Sequence, residues 1–589
     1  LVSMLGAGCD YCIFILARYR EERINGSDHE MSLRKSIIWA GESITMSGLA
    51  VMIGFGAMSI CSFSMISTMG IMLAVGIVIA LLAALTLITS VLAIFGDRLF
   101  WPTKMESLRE GGKARKGWYG RVSGLGHRYF LKSAHTSIKY AKVIVAATIL
   151  FTIPMAYIMV TSESSYDMIG SMSSGEAIDG LETIEEYSNG GMIMPNYSVL
   201  EISETLGTVI EIEHGEGALF WNPAATEYID KLSTVSSALY GDDNVGEVWG
   251  IYVWNNLIDG SAATASSDHD RTVQIYSQAA AKLPGTIQKQ VLTSLDAVIG
   301  GYEAMTGNEA VYNDPDLIAL MDYLVNYRMA MSVGGSEADI GTPWDVKYVK
   351  YTVITKDEAM SDRSMDTIKF IDGTMTDFAY GNPDMVVGNW LTGSAVVMYE
   401  ISELVSDEFL KVEILAIVLI FILLFFVMKS YVTPVRSILT ILMSVVWTVA
   451  ITHLLFGGLL GEGVIWMIPI ILIVVCLGLG MDYDILLTTR IRENRMHRGM
   501  SNDDAITHAV THSGSVITIC GLIMGGAFGT LMLSSTTMLQ EFGFALCFAI
   551  IVDALLVRTY VVPATMHLLG DWNWKGPEFL LKRGSKPPE

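Results

Sequence analysis

The chain has 589 residues, of which 51% are hydrophobic and only 17% are charged, and its mean hydropathy is +0.45. Soluble globular proteins of this size are markedly more polar, so the composition excludes a soluble fold and predicts a membrane protein. The formal net charge of −23 also excludes the basic surface that is typical of nucleic-acid-binding proteins.

Nine stretches of the chain are apolar over nearly the roughly 20 residues that a helix needs to cross a bilayer. In chain order they are 1–17, 37–61, 68–95, 143–160, 412–428, 438–455, 464–487, 516–533 and 542–566. The first stretch begins without an initiator Met and without a basic flank, so it does not have the pattern of a signal peptide. We therefore expect a polytopic chain that lacks its N-terminal part.

Charge divides the sequence into two environments. Residues 161–408 hold 40 acidic and 10 basic residues, whereas the remainder has a small net positive charge. The loop 97–142 carries 11 Lys or Arg, and the shorter segments 18–35, 429–436 and 490–498 are also basic. Basic loops of membrane proteins face the cytoplasm, so nine crossings place residues 161–408 outside.

This topology predicts six regions in a chain that spans the cell (cytoplasmic) membrane several times. They are three membrane helices in 1–96, a basic cytoplasmic loop in 97–142, one helix in 143–160, an extracytoplasmic domain in 161–408, five helices in 409–567 and a cytoplasmic tail in 568–589. The acidic surface of the external domain is typical of a solvated face, and no feature indicates a nucleic-acid partner.

The external segment alternates strand-like and helix-like patterns. Strands are predicted at 196–202, 246–253, 346–354 and 385–387, and helices are predicted at 224–239 and 365–378. This order gives two β-α-β units, as in a split β-α-β core. Residues 274–331 have helical periodicity with few breakers, which predicts a helical insertion between the two units.

An internal duplication links the first three predicted helices to three helices near the C-terminus. Eight residues of the segment 6–21 recur at a constant offset of 472, and further matches follow at offsets of 473 and 474. The eight pairs are Gly6 and Gly478, Gly8 and Gly480, Asp10 and Asp482, Tyr11 and Tyr483, Ile13 and Ile485, Arg18 and Arg490, Arg20 and Arg492, and Glu21 and Glu493. Both copies begin by crossing in the same direction, which predicts parallel repeats related by an axis along the membrane normal.

Each copy places a carboxylate in the apolar part of a spanning helix. Asp10 and Asp482 cost at least about 2.5–3.5 kcal/mol each on membrane-insertion scales, so we interpret them as functional residues. Gly6 and Gly478 lie one turn before them on the same helix face, where another helix can approach closely, and we expect the two faces to meet. A purely structural hydrogen bond between helices is the plainer alternative.

A tyrosine directly follows each of these acids. The hydroxyl groups of Tyr11 and Tyr483 can donate to a carboxylate or relay a proton while the rings stay in the apolar layer. No Lys or Arg lies in the apolar part of either helix, so we expect no nearby cation to stabilise the ionised acids.

The two motifs GAGCDYCIFILARYREE and GLGMDYDILLTTRIREN resemble the MMPL branch of the resistance-nodulation-division (RND) superfamily, which is related to sterol-sensing-domain proteins. The resemblance implies an RND-type pseudo-twofold helical bundle with an α+β extracytoplasmic porter domain. It also implies a proton relay formed by Asp10, Tyr11, Asp482 and Tyr483. Similar proteins move lipids, polyketides or drugs.

Other polar and small residues indicate structural roles. Gly521, Gly525 and Gly529 form a small-xxx-small ladder, which predicts a helix-packing seam. Asp484 has Cys12 as its counterpart in the first copy, so we place it outside the symmetric core.

Two further pairs receive no chemical role. Asp553 and Arg558 resemble the end of the family's last helix, and we interpret them as a structural pair. His508 and His512 have the spacing of a metal-binding pair, but no third ligand stands at a suitable distance, so we predict no metal site. We predict no other cofactor.

We predict a secondary active transporter that exports lipids or other hydrophobic compounds and is driven by the proton gradient through the Asp-Tyr pairs. The sequence has no GxxxxGK(S/T) phosphate loop, which favours an ion gradient over ATP as the energy source. The expected partners are membrane lipids, a hydrophobic substrate and protons, and a homo-oligomer remains open.

Two rival functions come from other classes. An intramembrane aspartyl protease would also need two membrane carboxylates, but Cys9 and Met481 interrupt its Gly-x-Gly-Asp spacing, so we predict no enzyme and no catalytic residue. An RND-related lipid-sensing or protein-export accessory is the second rival, and transport by the protein alone would discriminate against it.

Overall fold

The computed structural model describes two compact units, which are treated separately. One unit comprises Leu1–Ser173 with Leu404–Glu589, and the other comprises Ser174–Glu403. The residues described are 2–101, 118–162, 164–166, 187–213, 216–258, 267–330, 343–461, 463–496 and 498–577, with 176, 180, 183 and 265 as single positions.

Long helices dominate the chain. In chain order they are α1 (Val2–Ile24), α2 (His29–Met58), α3 (Ser64–Phe100), α4 (Trp118–Lys139), α5 (Ala141–Thr161), α6 (Thr226–Ala238), α7 (Asp268–Ala280), α8 (Gly285–Thr306), α9 (Pro315–Ala330), α10 (Asp362–Gly381), α11 (Ser394–Met428), α12 (Val432–Leu460), α13 (Met467–Met496), α14 (Asn502–Leu533) and α15 (Thr537–Trp574).

Among the described residues, eight helices are long and apolar enough to cross a membrane, namely α2, α3, α5 and α11–α15. The ninth predicted span, 1–17, forms the first part of α1, which also carries the charged segment from Arg18 to Arg23. The strands are β1 (Ser164–Ser165), β2 (Asn196–Ile202), β3 (Gly207–Glu213), β4 (Glu216–Trp221), β5 (Val245–Trp249), β6 (Pro343–Val346), β7 (Tyr348–Thr355), β8 (Val386–Thr392) and β9 (Val464–Ile465).

The sequence duplication is visible in how equivalent helices begin. Helix α2 starts after Asp28, whose carboxylate accepts the Met31 N–H at 3.0 Å. Its counterpart α14 starts after Ser501, whose hydroxyl accepts the Asp504 N–H at 3.2 Å. Asp28 and Ser501 are related by the offset of 473, so both copies use a side-chain N-cap at the same position.

Equivalent helices also change winding and turn at matching places. Helix α3 contains π-helical turns at Ala84–Ile88, and its counterpart α15 contains them at Asp553–Val561. The continuous helical path of each then turns at a glycine with a φ of +51°, Gly96 and Gly570, a conformation that glycine adopts without steric cost. The helical unit is thus built from two related halves, as expected for a pseudo-twofold bundle.

The second unit contains a four-stranded antiparallel sheet in the order β5-β7-β2-β8. Helix α6 connects β2 to β5 and α10 connects β7 to β8, so each connection skips over one strand of the other unit. This is the ferredoxin-like arrangement of two split β-α-β units. Fully buried Leu200, Val248, Tyr351, Leu232 and Ile368 form part of the core between the sheet and the helices.

The predicted split β-α-β fold is therefore confirmed, and the predicted insertion contains α7, α8 and α9. The predicted strand 346–354 corresponds to β7, except that Val346 ends the preceding strand β6. A second sheet of order β4-β3-β6 was not predicted. Local alternation of residues cannot show to which sheet a strand belongs.

A buried acid in the helical insertion makes a pH-dependent stability testable. Burial raises the pKa of Asp322 to about 7, although its carboxylate accepts the Trp254 N–H at 2.8 Å. The pKa of Asp322 in the folded state lies above its unfolded value of about 4. Its contribution to the free energy of unfolding is therefore fully present below about pH 4 and is lost as the pH rises through 7.

Replacing Asp322 by Asn should therefore raise the melting temperature of a fragment of residues 174–403 at pH 8 and change it little at pH 4. Circular dichroism melting measures this difference. Asp316→Asn, at an exposed position of the same helix, is the control and should show no such pH dependence. Equal melting temperatures of the wild type and the Asp322 variant at pH 8 would contradict the prediction.

Candidate functional site

The two Asp-Tyr pairs lie in the interior of the helical unit. Helix α1 carries Asp10 and Tyr11, α13 carries Asp482 and Tyr483, and all four side chains are at most 3% exposed. The Tyr483 hydroxyl donates to Asp10 Oδ2 at 2.5 Å. The tyrosine of the second copy thus bonds the acid of the first copy, and the contact joins the two halves of the bundle.

A third polar residue completes each pair. Cys520 of α14 adjoins Asp10 and Tyr483, whereas Ser47 of α2 adjoins Asp482 and Tyr11, in both cases without a hydrogen bond of normal geometry. Ser47 and Cys520 are equivalent by the offset of 473. The structure therefore has two related pockets, each with an acid from one half, a tyrosine from the other half and a small polar side chain.

The glycines before the acids bring the halves together. A Cβ atom at Gly6 would lie 2.9 Å from Met524 Cγ, and a Cβ atom at Gly478 would lie 3.4 Å from Val51 Cα. Met524 and Val51 are themselves equivalent by the offset of 473, so the two contacts are copies of each other. The expectation that the two glycine faces meet each other was wrong, because each packs against the next helix of the opposite half.

The second group of glycines lies between α14 and α15. A Cβ atom at Gly525 would lie 3.0 Å from Ile551 Cγ1, one at Gly529 would lie 3.4 Å from Cys547 Sγ, and Gly521 lies against Ala554. The absence of side chains at these three positions allows α15 to approach α14 closely.

The two pockets differ in their hydrogen bonding. Among the described residues the Tyr11 hydroxyl has no hydrogen-bond partner, although its counterpart in Tyr483 has one. The Oδ1 atoms of Asp10 and of Asp482 are likewise buried and, within the same residues, unpaired. The crossed hydrogen bond between Tyr483 and Asp10 is formed, whereas the equivalent one between Tyr11 and Asp482 is not.

Next to these pockets, the second half contains a buried ionic network that connects three helices. Arg558 of α15 contacts Asp553 at 3.0 Å and Asp484 of α13 at 2.6 Å. Arg436 of α12 contacts the other oxygen of Asp484 at 2.8 Å, and Ser437 also donates to it. The two arginines and two aspartates neutralise one another, so each charge is compensated inside the bundle.

This network corrects one expectation and bears on two others. Arg436 is not part of a cytoplasmic loop but is 5% exposed inside α12. Asp484 has no equivalent acid in the first half, yet it is the centre of the network. Arg558 and Asp553 form the expected pair, since the π-helical turns bring residues five apart onto one face.

The expectation that no cation lies near the paired acids was also wrong. Arg558 donates to the Gly480 carbonyl, two residues before Asp482, and it reaches this position from a third helix. Gly480, Tyr483 and Asp553 line a cavity of about 10 Å³, which has room for about one water molecule. The network therefore borders the Asp482 side of the site.

The acids nevertheless fall into two classes. Asp484 and Asp553 form ion pairs with arginines, whereas no basic side chain in the described part of the chain forms an ion pair with Asp10 or Asp482. An ionised carboxylate without water or a paired cation is costly in a medium of low dielectric constant. Asp10 and Asp482 are thus the acids whose charge can be removed by a proton at the lowest cost to the fold.

The histidines predicted not to bind metal stack on each other at a ring distance of 4.0 Å. His512 Nδ1 lies 2.8 Å from the His508 carbonyl oxygen. Among the described residues, no group of three or more His, Cys, Asp or Glu side chains has the geometry of a metal site.

Sequence reasoning missed Arg436, Ser437, Ser47 and Cys520 as neighbours of the site. A charged residue at the start of an apolar helix, such as Arg436, was the available signal, but its partner 48 positions away could not be identified from one sequence. Ser47 and Cys520 could have been found from the duplication, because they occupy equivalent positions and are both small and polar.

Comparison with known proteins gives several relatives. The chain is 24% identical to the putative membrane protein YdgH of Bacillus subtilis, over 98% of this chain and 73% of the relative. It is 23% identical to the apo-petrobactin exporter of Bacillus anthracis, over 98% of this chain and 63% of that protein. It is 22% identical to the siderophore exporter MmpL5 of Mycobacterium tuberculosis, over 46% of this chain and 27% of that protein.

A solved structure is also similar. The crystal structure of SecDF in its super-membrane-facing form aligns with a TM-score of 0.47 and 14% identity, covering 96% of this chain and 53% of that one. The sequence profile of the MMPL family matches residues 1–128 and 337–584, which include both Asp-Tyr pairs. Because this profile covers more than half of the chain, the chain belongs to the MMPL family, and its helical unit is an RND-type pseudo-twofold bundle.

Proposed function

We propose that this chain forms the greater part of a secondary active transporter that exports hydrophobic compounds and is driven by the proton gradient through its Asp-Tyr pairs. The observation that carries the proposal is the hydrogen bond from Tyr483 to Asp10, which joins the two halves of the bundle at a buried acid. Asp10 and Asp482 have no ion-pair partner among the described residues, so a proton is the simplest means of neutralising them.

The mechanism follows from what protonation does to this contact. An ionised Asp10 is a strong acceptor for the Tyr483 hydroxyl, whereas a protonated Asp10 is a weaker acceptor and can itself donate. The energetic balance between the two crossed contacts therefore changes with the protonation of each acid. Such a change favours one of two packings of the halves and moves them by rigid-body rocking.

The relatives support export as the activity. Two of them are named as exporters, one of apo-petrobactin and one of siderophores. We propose lipids or other hydrophobic compounds as the substrate of this protein, with membrane lipids and protons as its partners. The chain spans 73%, 53% and 63% of the length of three relatives that it matches over nearly its full length, and the proposal concerns the whole protein.

We further propose a place in the cytoplasmic membrane with residues 161–408 on the outer side. This orientation rests on the basic loop 97–142 and on the strongly acidic composition of residues 161–408. The alternative function is an RND-related lipid-sensing or protein-export accessory, which would use the same helices without moving a small molecule itself.

The relay predicts that the two acids are required as titrating groups. Asp10→Asn and Asp482→Asn preserve size and some hydrogen bonding, so both variants should insert and fold but lose export driven by a pH gradient. Tyr483→Phe should impair export less than these variants but more than Tyr11→Phe. The reason is that the Tyr483 hydroxyl donates to Asp10, whereas the Tyr11 hydroxyl has no partner among the described residues. Flux of candidate lipids in vesicles containing the intact protein measures this order.

The control for this experiment is the amount of protein inserted in the membrane, which should be unchanged in all four variants. Wild-type export by either Asn variant, with the wild-type dependence on the pH gradient, would eliminate the relay. Transport that occurs only with an added partner protein would favour the accessory function.

The ionic network predicts a loss of stability instead of a specific loss of coupling. Arg558→Gln leaves Asp484 and Asp553 with too little positive charge and should destabilise the protein by about 3–5 kcal/mol. Arg495→Gln is the matched control, because its partner Asp571 is 79% exposed, and it should change stability by no more than about 1 kcal/mol.

Thermal melting of the intact protein in detergent distinguishes these two variants. Equal melting temperatures for Arg558→Gln and Arg495→Gln would show that the network contributes little to the fold.

The proposed orientation can be tested by chemical labelling. A cysteine at the exposed Ser237 should react with an impermeant maleimide added outside the cell, and a cysteine at Ser107 should react only after the membrane is permeabilised. The parent protein should have its native cysteines replaced by serine. Labelling of both positions from the same side would overturn the topology.

A further inference from the structure

A second crossed contact between the halves lies beyond the Asp-Tyr pairs. Arg490 of α13 forms an ion pair with Glu21 of α1, and the two side chains are 12% and 34% exposed. About three helical turns separate Glu21 from Asp10 along α1, toward the end of the bundle that carries the basic residues. Such partly buried pairs are screened less than pairs at an open surface.

The duplication gives this ion pair an equivalent. The offset of 472 relates Arg490 to Arg18 and Glu21 to Glu493, so the equivalent crossed pair would join Arg18 to Glu493. In the structure that pair is not formed. Arg18 instead contacts Glu21 at 3.5 Å and Glu22 at 3.1 Å on its own helix.

Glu493 is also satisfied within its own half. It contacts Arg498 at 3.6 Å, and its side chain is 17% exposed. Each member of the missing pair thus has a local partner that it would exchange for the other member.

The Asp-Tyr contacts form an upper level of the bundle and the Arg-Glu contacts form a lower level. Both levels are asymmetric in the same sense. At the upper level the tyrosine of the second half bonds the acid of the first half, and Tyr11 of the first half is unpaired among the described residues. At the lower level the arginine of the second half bonds the glutamate of the first half, and Arg18 stays on its own helix. Both halves contain the same four residue types, so local chemistry does not require the two levels to be asymmetric in the same direction.

A cavity connects the members of the lower level. It has a volume of about 230 Å³, and Arg18, Glu21, Arg490 and Glu493 all line it. Phe14 and Leu486, which lie one turn beyond Asp10 and Asp482, also line it. The cavity provides the space in which the arginine and glutamate side chains can change partners.

We propose that these four residues form an exchangeable ion-pair layer, in which the pair of Arg490 with Glu21 is replaced by the pair of Arg18 with Glu493 when the Asp-Tyr contact changes sides. This inference rests on the proton relay proposed above and assigns positioning residues to it. The exchange replaces one Arg-Glu pair by a chemically identical one, so the two states differ little in energy. A small shift at the acids can therefore select between them.

Cross-linking tests the exchange without a substrate or a pH gradient. Arg18, Arg490 and Arg23 are replaced by Lys in the intact protein, which keeps every charge of the layer in place. The protein is placed in phosphatidylcholine vesicles and treated with a carbodiimide, which joins a Lys amine to a carboxylate in contact with it, and the cross-linked peptides are quantified by mass spectrometry. Arg23 and Asp97 form an ion pair within the first half, so they are the control.

With native Asp10 and Asp482, the 21/490 pair should cross-link severalfold more than the 18/493 pair. In the Asp10→Asn background the charge that holds Tyr483 is removed, so cross-linking should shift severalfold toward the 18/493 pair. Asp482→Asn should leave the 21/490 pair predominant, and the control pair should stay constant throughout.

The inference is overturned if the ratio of 18/493 to 21/490 cross-links is the same in the Asp10→Asn and Asp482→Asn backgrounds. This result can occur while export remains dependent on the pH gradient, in which case only the ion-pair exchange fails. If instead the cross-links shift as expected but export ignores the gradient, the layer is confirmed as a switch and the proton-driven function fails.

Discussion

A buried hydrogen bond between the two halves of the bundle is the interaction on which the rest of this structure depends. The Tyr483 hydroxyl bonds Asp10 in a region with little water, where the acid has no ion-pair partner among the described residues. An acid in that position is stable only if it is hydrogen-bonded or protonated. The contact between the halves and the charge of the acid are therefore linked by physical necessity.

The helix packing brings the residues of this contact together. Gly6 and Gly478 allow α1 and α13 to approach the second helix of the opposite half, against Met524 and Val51. A Cβ atom at Gly6 would press on the Met524 side chain, and one at Gly478 would already be in van der Waals contact with Val51, so larger side chains do not fit at these positions without movement. The ionic network of Arg436, Asp484, Arg558 and Asp553 lies on the other side of the second half, and its charges compensate one another without Asp10 or Asp482.

Much of this arrangement could be predicted from one sequence. The duplication, the apolar spans and the placement of Asp10 and Asp482 follow from periodicity and from the cost of a charge in the membrane. The split β-α-β fold of residues 174–403 follows from the order of its strands and helices. These features depend on local pattern or on repetition, both of which a single sequence contains.

The features that were missed depend on contacts between distant segments. The pairing of Arg436 with Asp484 and the assignment of β6 to a second sheet both join residues that no local pattern connects. The direction of the asymmetry, with Tyr483 bonded and Tyr11 unpaired among the described residues, cannot be read from two nearly identical motifs. It is a property of the conformation, not of the composition.

The proposed relay requires Asp10 and Asp482 to gain and lose protons inside the membrane. Infrared difference spectroscopy of the intact protein in vesicles measures this most directly, since a protonated carboxyl group has a carbonyl band that a carboxylate lacks. We expect a pH-dependent carbonyl band that loses part of its intensity in Asp10→Asn and in Asp482→Asn and loses both parts in the double variant, whereas the contribution of Asp322 remains. An identical band in the wild type and the double variant would contradict the relay.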